Sequence, residues 1–312
     1  MTRVLIALGG NAMTSADGQA RQEDQIGAVA RAVECIADVA AGGAQVLLTH
    51  GNGPQVGNLL VKNELAAHVV PPVSLDWCGA QTQGTIGFTL VNALERAMAA
   101  RGLAVPVAAV VTRTLVDAAD PGFVEPTKPV GRFLPEDEAK LMIEHGQRWR
   151  DLGRRGWRRV VASPEPLDVL DAPAVLTLLA AGYAVVAAGG GGIPVVRGAD
   201  GSLHGVEAVI DKDLAAALLA RVAGVERLVI ATDVDAAWLD WGTDQARPVG
   251  RVGVAELRRL AAQGHFGSGS MGPKVEAACR FVESGGELAA IAALDHIADA
   301  AQGRAGTVVT PD

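Results

Sequence analysis

Three of the five lysines in this 312-residue chain stand where a cation could meet an anionic ligand. Lys128, Lys212 and Lys274 lie in EPTKPVG, VIDKDLAA and GSMGPKVEAA, beside prolines, glycines or carboxylates. Lys62 and Lys140 lie in charge-mixed helical stretches, where a solvated lysine is the ordinary expectation. Because the formal net charge is -8, a phosphate site has to be built locally, and these three lysines are the ones to locate.

Glycine-rich loops are the second feature that could do chemistry. GGN at 9–11, GNG at 51–53 and GGGG at 189–192 each follow an apolar run. Glycines let a ligand approach the main chain, whose N–H groups can receive an anion. Neither GxxxxGK[ST] nor GxGxxG is present, so neither common nucleotide fingerprint explains them. A plain turn is the alternative for each loop alone, and three such loops make it less satisfactory.

The candidates for substrate binding come from these loops. They are Gly9, Gly10, Asn11, Gly51, Asn52, Gly53, Gly190 and Gly191. The asparagine side chains offer both hydrogen-bond donors and an acceptor to a small polar ligand. Their alternative role is to tolerate left-handed turn geometry.

Alternating short apolar runs and helical patterns must position these residues. The predicted strands are VLIAL, AQVLLTHG, VPVAAVV, YAVVAAGGGG, ERLVIATDVD, ELAAIAAL and TVVT. The predicted helices cover about 22–41, 76–101, 171–181, 212–223, 254–263, 274–284 and 294–302, with a further helix beginning near Pro54. This alternation predicts an α/β fold with a mainly parallel sheet covered on both faces. Ligands then belong at the carboxyl ends of the strands, where the glycine loops fall.

One segment departs from the alternation. Residues 113–160 are charged and contain prolines, with little sustained strand periodicity, so they are predicted to be an excursion from the edge of the sheet. The arginine-rich patch GRRGWRR within it is predicted to be solvated surface.

Composition excludes several classes of function. The acidic balance, with pI near 5.3, argues against nucleic acid or an anionic membrane surface as a partner. No apolar run reaches the roughly 18 residues of a membrane span, and MTRVLIALGG lacks the cleavage region of a signal peptide, so a cytoplasmic protein is expected. Cys35, Cys78 and Cys279 are widely spaced and lack a CxxC pair, which predicts buried thiols and neither disulfides nor a zinc site.

Eight motifs in order along the chain carry a resemblance to a known family. They are ALGGNA, THGNGPQVG, DPGFVEPTKPVGRF, GWRRVVASPEP, GGGGIPV, GVEAVIDKDLAA, TDVD and GHFGSGSMGPKVEAACRFVE. Together they resemble the carbamate kinases of the amino acid kinase fold, from about residue 5 to beyond residue 285. The collinear set is far more specific than any one motif.

The resemblance implies a three-layer α/β/α open sandwich with a mainly parallel central sheet and a small protruding subdomain. It implies an acceptor lobe over residues 1–225, with the subdomain at about 113–160, and a nucleotide-binding lobe over 226–312. The implied substrates are carbamoyl phosphate or carbamate and ADP or ATP. Magnesium is expected on the nucleotide phosphates without a metal site of protein residues, and the chain is expected to form a homodimer.

The resemblance also assigns roles to individual residues. Many members of the wider superfamily carry a lysine two residues before the first glycine pair, where this chain has Ala7; carbamate kinases bring that charge from the subdomain, and the matching residue is Lys128. Lys274 and Lys212 match cations at the phosphates, and Asp213 matches the carboxylate that organises the catalytic lysines. Asp211 could be only a helix cap. The residues matching nucleotide contacts are Asp233, Val234, Asp235, Met271, Gly272 and Pro273.

The expected chemistry needs neither a nucleophile nor a strong base, because a carbamate oxygen attacks phosphorus directly. His50 is therefore assigned to hydrogen bonding in the core or loop, and Trp238 and Trp241 to core packing. The alternative function is another acyl-phosphate kinase of this fold with a larger carboxylate as acceptor. Its extra carboxylate would need an arginine, which the acceptor loops lack, so Arg113 or Arg132 would have to bind it.

Overall fold

The computed structural model describes residues 1–10, 21–267 and 271–312, and its largest sheet has eight strands. In spatial order these are β15 (Arg251–Gly253), β17 (Thr307–Thr310), β16 (Leu288–Ala293), β12 (Arg227–Thr232), β1 (Arg3–Leu8), β2 (Gln45–His50), β9 (Ala184–Val186) and β3 (Val107–Ala109). All these neighbours pair in parallel except β16 and β17, which are antiparallel. The predicted mainly parallel sheet is confirmed.

Helices cover both faces of this sheet. Their bounds are α1 (Gln22–Ala41), α2 (Gly53–Ala66), α3 (Leu75–Ala100), α4 (Pro121–Val124), α5 (Glu136–Glu144), α6 (Ala172–Ala180), α7 (Lys212–Val222), α8 (Val254–Ala262), α9 (Met271–Glu283) and α10 (Ile297–Ala300). In β1, Leu5 joins a core with α6, α7, α8 and α9, whereas Ile6 joins the core under α1, α3 and α10. From Val4 to Leu8 the strand is apolar because both of its faces are buried, and the three-layer α/β/α fold is confirmed.

Most predicted elements are present, with small differences in their bounds. Helix α1 covers its predicted range and ends at Gly42 and Gly43, where Gly43 has a φ of +85°. Pro54 lies in the first turn of α2, where its missing N–H costs nothing. The helix predicted over 294–302 is shorter, since a 3₁₀ turn at Leu294–His296 precedes α10.

The excursion contains more strand than its sequence indicated. Strands β5 (Lys128–Leu134), β7 (Trp157–Val161) and β6 (Trp149–Asp151) form an antiparallel sheet, and α5 packs on it through Ala139. We call residues 121–161, which hold this sheet, the subdomain. The sequence shows little sustained strand periodicity here because these strands are short and carry charged residues on their open faces.

Two smaller sheets complete the fold. One has the order β11 (Leu203–Gly205), β10 (Ile193–Arg197), β4 (Arg113–Leu115) and β8 (Asp168–Val169), and the other pairs β13 (Trp238–Leu239) with β14 (Arg247–Pro248).

Cys78 and Cys279 are buried as expected, but Cys35 is partly exposed, so the prediction of three buried thiols is wrong for that residue. Across the described ranges, no helix is both long and apolar enough to cross a membrane.

Candidate active site

The glycine loops meet at the carboxyl ends of three neighbouring strands, β1, β2 and β9. A Cβ atom added to Gly51 would lie 2.7 Å from the amide nitrogen of Gly10, and one added to Gly190 would overlap the Asn52 side chain. Gly190 also has a φ of +66°. Only glycine allows this interlocking of loops, because contacts this close leave no room for a side chain.

Five of the eight residues predicted to bind substrate line one cavity of about 240 Å³. They are Gly10, Gly51, Asn52, Gly53 and Gly190, which we call the glycine floor. Gly9 and Gly191 do not line this cavity: the Gly9 amide donates to Ala231 O and the Gly191 amide donates to Ala188 O. Asn11 lies outside the described residues.

Hydrogen bonds of two buried side chains, Asn52 and His50, stabilise the loops of the glycine floor. Asn52 Nδ2 donates to Thr82 Oγ1 of α3 at 2.9 Å, so the side chain has a partner beyond its own turn. His50 Nδ1 donates to the carbonyl of Gly51 at 2.9 Å. Burial lowers the pKa of His50 to about 4, so its imidazole is neutral at physiological pH. The interpretation of His50 as a hydrogen-bonding loop residue is confirmed.

Two lysines from different helices share one carboxylate at the cavity wall. Asp213 Oδ1 lies 2.6 Å from Lys212 Nζ, and its Oδ2 lies 3.1 Å from Lys274 Nζ. The Asp213 residue is only 2% exposed. Burial alone would raise the pKa of Asp213, but the positive charges of Lys212 and Lys274 outweigh burial and lower it. The carboxylate therefore stays ionised and fixes both ammonium groups.

The third lysine reaches the same cavity from the subdomain. Lys128, the first residue of β5, places its Nζ 2.7 Å from Asp211 Oδ2. The other oxygen of Asp211 accepts from the amides of Asp213 and Leu214 and so caps α7. Asp211 is thus a helix cap, as considered from the sequence, and also the partner of Lys128.

Arg158 is a cavity residue that sequence reasoning missed. It lies on β7 and lines the cavity with Lys128, although its patch was interpreted as solvated surface. The next residue, Arg159, pairs with Glu207 at 3.5 Å. Successive side chains of a strand point to opposite faces, so a strand assignment for WRRVV would have indicated that one of the two arginines faces inward.

The arginines named for a larger acceptor are bound elsewhere. Arg113 pairs with Asp171 at 2.8 Å, and Arg132 pairs with Glu64 at 3.2 Å. Neither lines the cavity of the glycine floor.

A second cavity, of about 180 Å³, lies beside the carboxyl end of β12. Asp233, Val234 and Met271 line it with Trp238 and Trp241. The two indole rings meet edge to face, with their centroids 5.7 Å apart. Trp241 is 66% exposed, so the interpretation of core packing is wrong for that residue.

The first turn of α9 connects the two cavities. Met271 lines the second, while Pro273 and Lys274 line the first. Gly272 lies between these two groups in sequence, and its amide donates to Gly267 O. Asp235, also predicted to contact the nucleotide, is exposed and lines neither cavity. Within the described ranges, no cluster of three or more His, Cys, Asp or Glu could hold a metal ion.

Comparisons with known proteins identify the family of the chain. Residues 2–293 match the model of the amino acid kinase family. The carbamate kinase of Thermococcus kodakarensis is 46% identical over 313 residues, 99% of each chain, and that of Pyrococcus furiosus is 44% identical over 99% of each. The structure of Giardia lamblia carbamate kinase bound to AMP-PNP superposes with a TM-score of 0.93 at 40% identity, covering 100% of this chain and 99% of that one.

Proposed function

The chain belongs to the amino acid kinase family, and from that premise we propose how its site performs the carbamate kinase reaction. This reaction is the reversible phosphoryl transfer between carbamoyl phosphate and ADP that gives ATP and carbamate. The observation that carries the proposal is the meeting of Lys128, Lys212 and Lys274 in one cavity above the glycine floor. The three lysines come from the subdomain, α7 and α9, which are distant in sequence, so they meet only when the chain is folded.

Charge neutralisation and positioning do most of the catalytic work. The transferred phosphoryl group spreads negative charge over its oxygens during the reaction, and fixed cations stabilise that charge in a partly desolvated site. Asp213 holds Lys212 and Lys274 in place before substrate arrives, since each of its oxygens contacts one ammonium group. Lys128 supplies the charge that Ala7 lacks. His50 takes no proton from substrate, because it is buried and bonded to Gly51.

The acceptor is small. The glycine floor offers amides and the Asn52 side chain, and its cavity of about 240 Å³ must also admit a phosphoryl group. Arg113 and Arg132, which a larger acceptor would need, are paired with Asp171 and Glu64. Carbamate is therefore favoured over an acceptor with a second carboxylate, which would have to use Arg158.

The nucleotide occupies the second cavity and the first turn of α9. We assign the adenine ring to the aromatic cavity and the phosphates to the first turn of α9, where Lys274 supplies positive charge. Residues 226–312 thus form the nucleotide lobe and 1–225 the acceptor lobe. Magnesium enters on the nucleotide phosphates, because both oxygens of Asp213 are already engaged by lysines. Calorimetry tests the adenine assignment: Trp241→Leu should bind ADP more weakly than wild type, and unchanged ADP binding would contradict it.

A homodimer is proposed through α3 and β3. Strand β3 is an edge of the eight-stranded sheet, and α3 lies directly over it, since a Cβ atom on Gly87 would be 2.9 Å from Ala109 Cβ. Trp77 and Phe88 stand three helical turns apart on α3 and are 63% and 68% exposed. A second copy could continue the sheet across β3 and cover both aromatic rings. Sedimentation of Phe88→Glu should show a smaller species than wild type, and Leu167→Glu, at an exposed site elsewhere, should not.

The assay that tests the reaction compares acceptors. We expect ATP formation from ADP and carbamoyl phosphate, and no ATP-dependent phosphorylation of glutamate, aspartate or acetate at comparable rates. Faster phosphorylation of any of the three would contradict carbamate as the acceptor, and faster phosphorylation of glutamate or aspartate would favour the larger-acceptor kinase. The cytoplasmic location expected from the sequence stays a prediction.

A further inference from the structure

The side chain of Arg158 is held in place by its own subdomain. Its guanidinium carbon lies 5.1 Å from the ring centroid of Phe133, its register partner on β5. Its Nε donates to the carbonyl of Gly131 at 3.0 Å. Stacking and this hydrogen bond together fix the plane of the guanidinium, leaving its two terminal amino groups as the donors available for a ligand.

Those two amino groups have no hydrogen-bond acceptor within the described residues. Three other arginines of the subdomain do have acceptors: Arg132 pairs with Glu64, Arg159 pairs with Glu207, and Arg148 donates to the Val124 carbonyl. Burial, aided by the positive charge of Arg155, lowers the pKa of Arg158 below its ordinary value. A partly buried cation without a carboxylate is costly to maintain, so this environment favours an anionic ligand.

The charges around the cavity separate Arg158 from the lysines. Lys128 contacts Asp211, and Lys212 and Lys274 share Asp213, so each of the three lysines already contacts a carboxylate. Arg158 lines the same cavity without such a match among the described residues. An entering phosphate would therefore meet two sources of positive charge, the lysine pair that shares Asp213 and the guanidinium of Arg158, which contacts no carboxylate among the described residues.

We propose that Arg158 binds the phosphoryl group of carbamoyl phosphate through its two terminal amino groups. The planar fork of an arginine matches two phosphate oxygens, a geometry that the compact ammonium of Lys128 cannot provide. The subdomain then contributes two different cations: Lys128 as a point charge, and Arg158 as an orienting fork. This inference rests on the proposed function and adds a binding residue to it.

Steady-state kinetics of Arg158→Gln and Arg158→Lys test the assignment. We expect Arg158→Gln to raise the KM for carbamoyl phosphate by about 10- to 100-fold, the loss typical of hydrogen bonds to a charged group, and to change the KM for ADP by less than about threefold. Arg158→Lys keeps the charge but loses the fork. Its KM for carbamoyl phosphate should therefore lie between the values for wild type and Arg158→Gln. Inorganic phosphate, used as a competitive inhibitor, should bind Arg158→Gln more weakly by a similar factor.

The chain offers two matched controls. Arg159→Gln removes an arginine from the adjacent position of the same strand, which pairs with Glu207, and should leave both KM values unchanged. Phe133→Leu removes the stacking partner but keeps the guanidinium, so it should raise the KM for carbamoyl phosphate less than Arg158→Gln does. Thermal unfolding of each variant separates loss of binding from loss of fold.

The outcomes distinguish this inference from the proposed function. If wild type forms no ATP from carbamoyl phosphate, the proposed function itself fails. If wild type is active and folded Arg158→Gln keeps its KM for carbamoyl phosphate within twofold of wild type, the function stands and the phosphate assignment is wrong. If wild type phosphorylates glutamate or aspartate and Arg158→Gln abolishes that activity, Arg158 binds the carboxylate of a larger acceptor, which also overturns the assignment.

Discussion

The glycine floor and the subdomain face each other across one cavity, yet they are built by opposite means. The floor consists of main chain at the ends of three parallel strands, and the loops approach so closely that a Cβ on Gly51 would lie 2.7 Å from Gly10 N. The subdomain contributes long side chains from a small antiparallel sheet, held by the pairing of Lys128 with Asp211 and the stacking of Arg158 on Phe133. The floor therefore sets the shape of this part of the cavity, and the subdomain supplies positive charge.

This difference predicts two kinds of failure. A substitution in the floor acts through geometry, because its loops have no space to relax. A substitution of Lys128 or Arg158 in the subdomain acts through charge, because these two charged side chains line the cavity. The experiments below test that division, starting with the largest expected effect.

Removing the ammonium group of Lys128 should cause the largest loss of activity. We expect Lys128→Ala to lower kcat by at least about 10³-fold, since it deletes a cation at the developing charge and leaves Asp211 facing the substrate phosphate unopposed. Unfolding temperature should change little. Lys140→Ala, an exposed lysine of the same subdomain paired with Glu136, serves as the control. Near-normal rates of Lys128→Ala with saturating carbamoyl phosphate would contradict the charge role of the subdomain.

The Asp213 cluster should show the next largest effect. Asp213→Asn and Lys274→Ala should each lower kcat by about 10²- to 10³-fold. Their effects should not add in the double variant, because Asp213 holds Lys274 and the two act as one unit. Kinetics of the two single variants and the double variant provide the measurement. Additive losses would mean that Asp213 contacts substrate independently of Lys274.

The floor is tested by comparing two glycines that share a backbone conformation. Gly190 and Gly201 have φ values of +66° and +83°, but an added Cβ would overlap the Asn52 side chain only at Gly190 and would meet open space at Gly201. Gly201→Ala should cost about 1 kcal/mol of stability and leave kinetics unchanged. Gly190→Ala should displace Asn52 and lower kcat/KM by about 10²-fold. Equal kinetics in the two variants would show that the position of Asn52 does not matter.

The same division explains which parts of the site the sequence could predict. Strands β1, β2 and β9 follow from short apolar runs, and the glycine loops follow because glycine marks their ends. Parallel pairing then places the loops at one edge of the sheet without any knowledge of side-chain contacts. The floor is thus encoded locally, and five of its predicted residues line the cavity.

The contribution of the subdomain depends on contacts between residues distant in sequence. Lys128 and Asp211 are 83 positions apart, so no local sequence pattern predicts their pairing. The inward orientation of Arg158 depends on the register of β7 with β5, which is shifted between Val130 and Phe133. A one-residue change in register would move Arg158 to the other face, so composition alone could not separate it from Arg159.

Acidification should weaken the floor through His50. The pKa of His50 is about 4 in the folded chain, against an ordinary value of 6.5. Between these two pH values the unfolded chain therefore binds a proton at His50 that the folded chain does not bind. Stability is therefore lost as pH falls from about 6.5 to 4, by about 2 kcal/mol at pH 5. Urea unfolding at pH 7 and pH 5 measures this loss. The loss of stability between pH 7 and pH 5 should be smaller in His50→Gln and unchanged in His68→Gln, which alters an exposed histidine. If His50→Gln shows the same loss as wild type, groups other than His50 cause it.

The smallest expected effect is a partial rescue that moves charge from the subdomain to the floor. Ala7 is fully buried in β1 between Thr49 and Ile230, at the position where many superfamily members carry a lysine. In the double variant Ala7→Lys with Lys128→Ala, the new ammonium would have to pass beneath the glycine floor, where overpacking strains the loops and burial lowers its pKa. We expect kcat to recover by no more than about tenfold over Lys128→Ala, a gain of about 1.4 kcal/mol, and Ala7→Lys alone to lower the unfolding temperature. Recovery to wild-type rates would show that the floor accepts a cation as readily as the subdomain supplies one, and the separation of shape from charge would then be wrong.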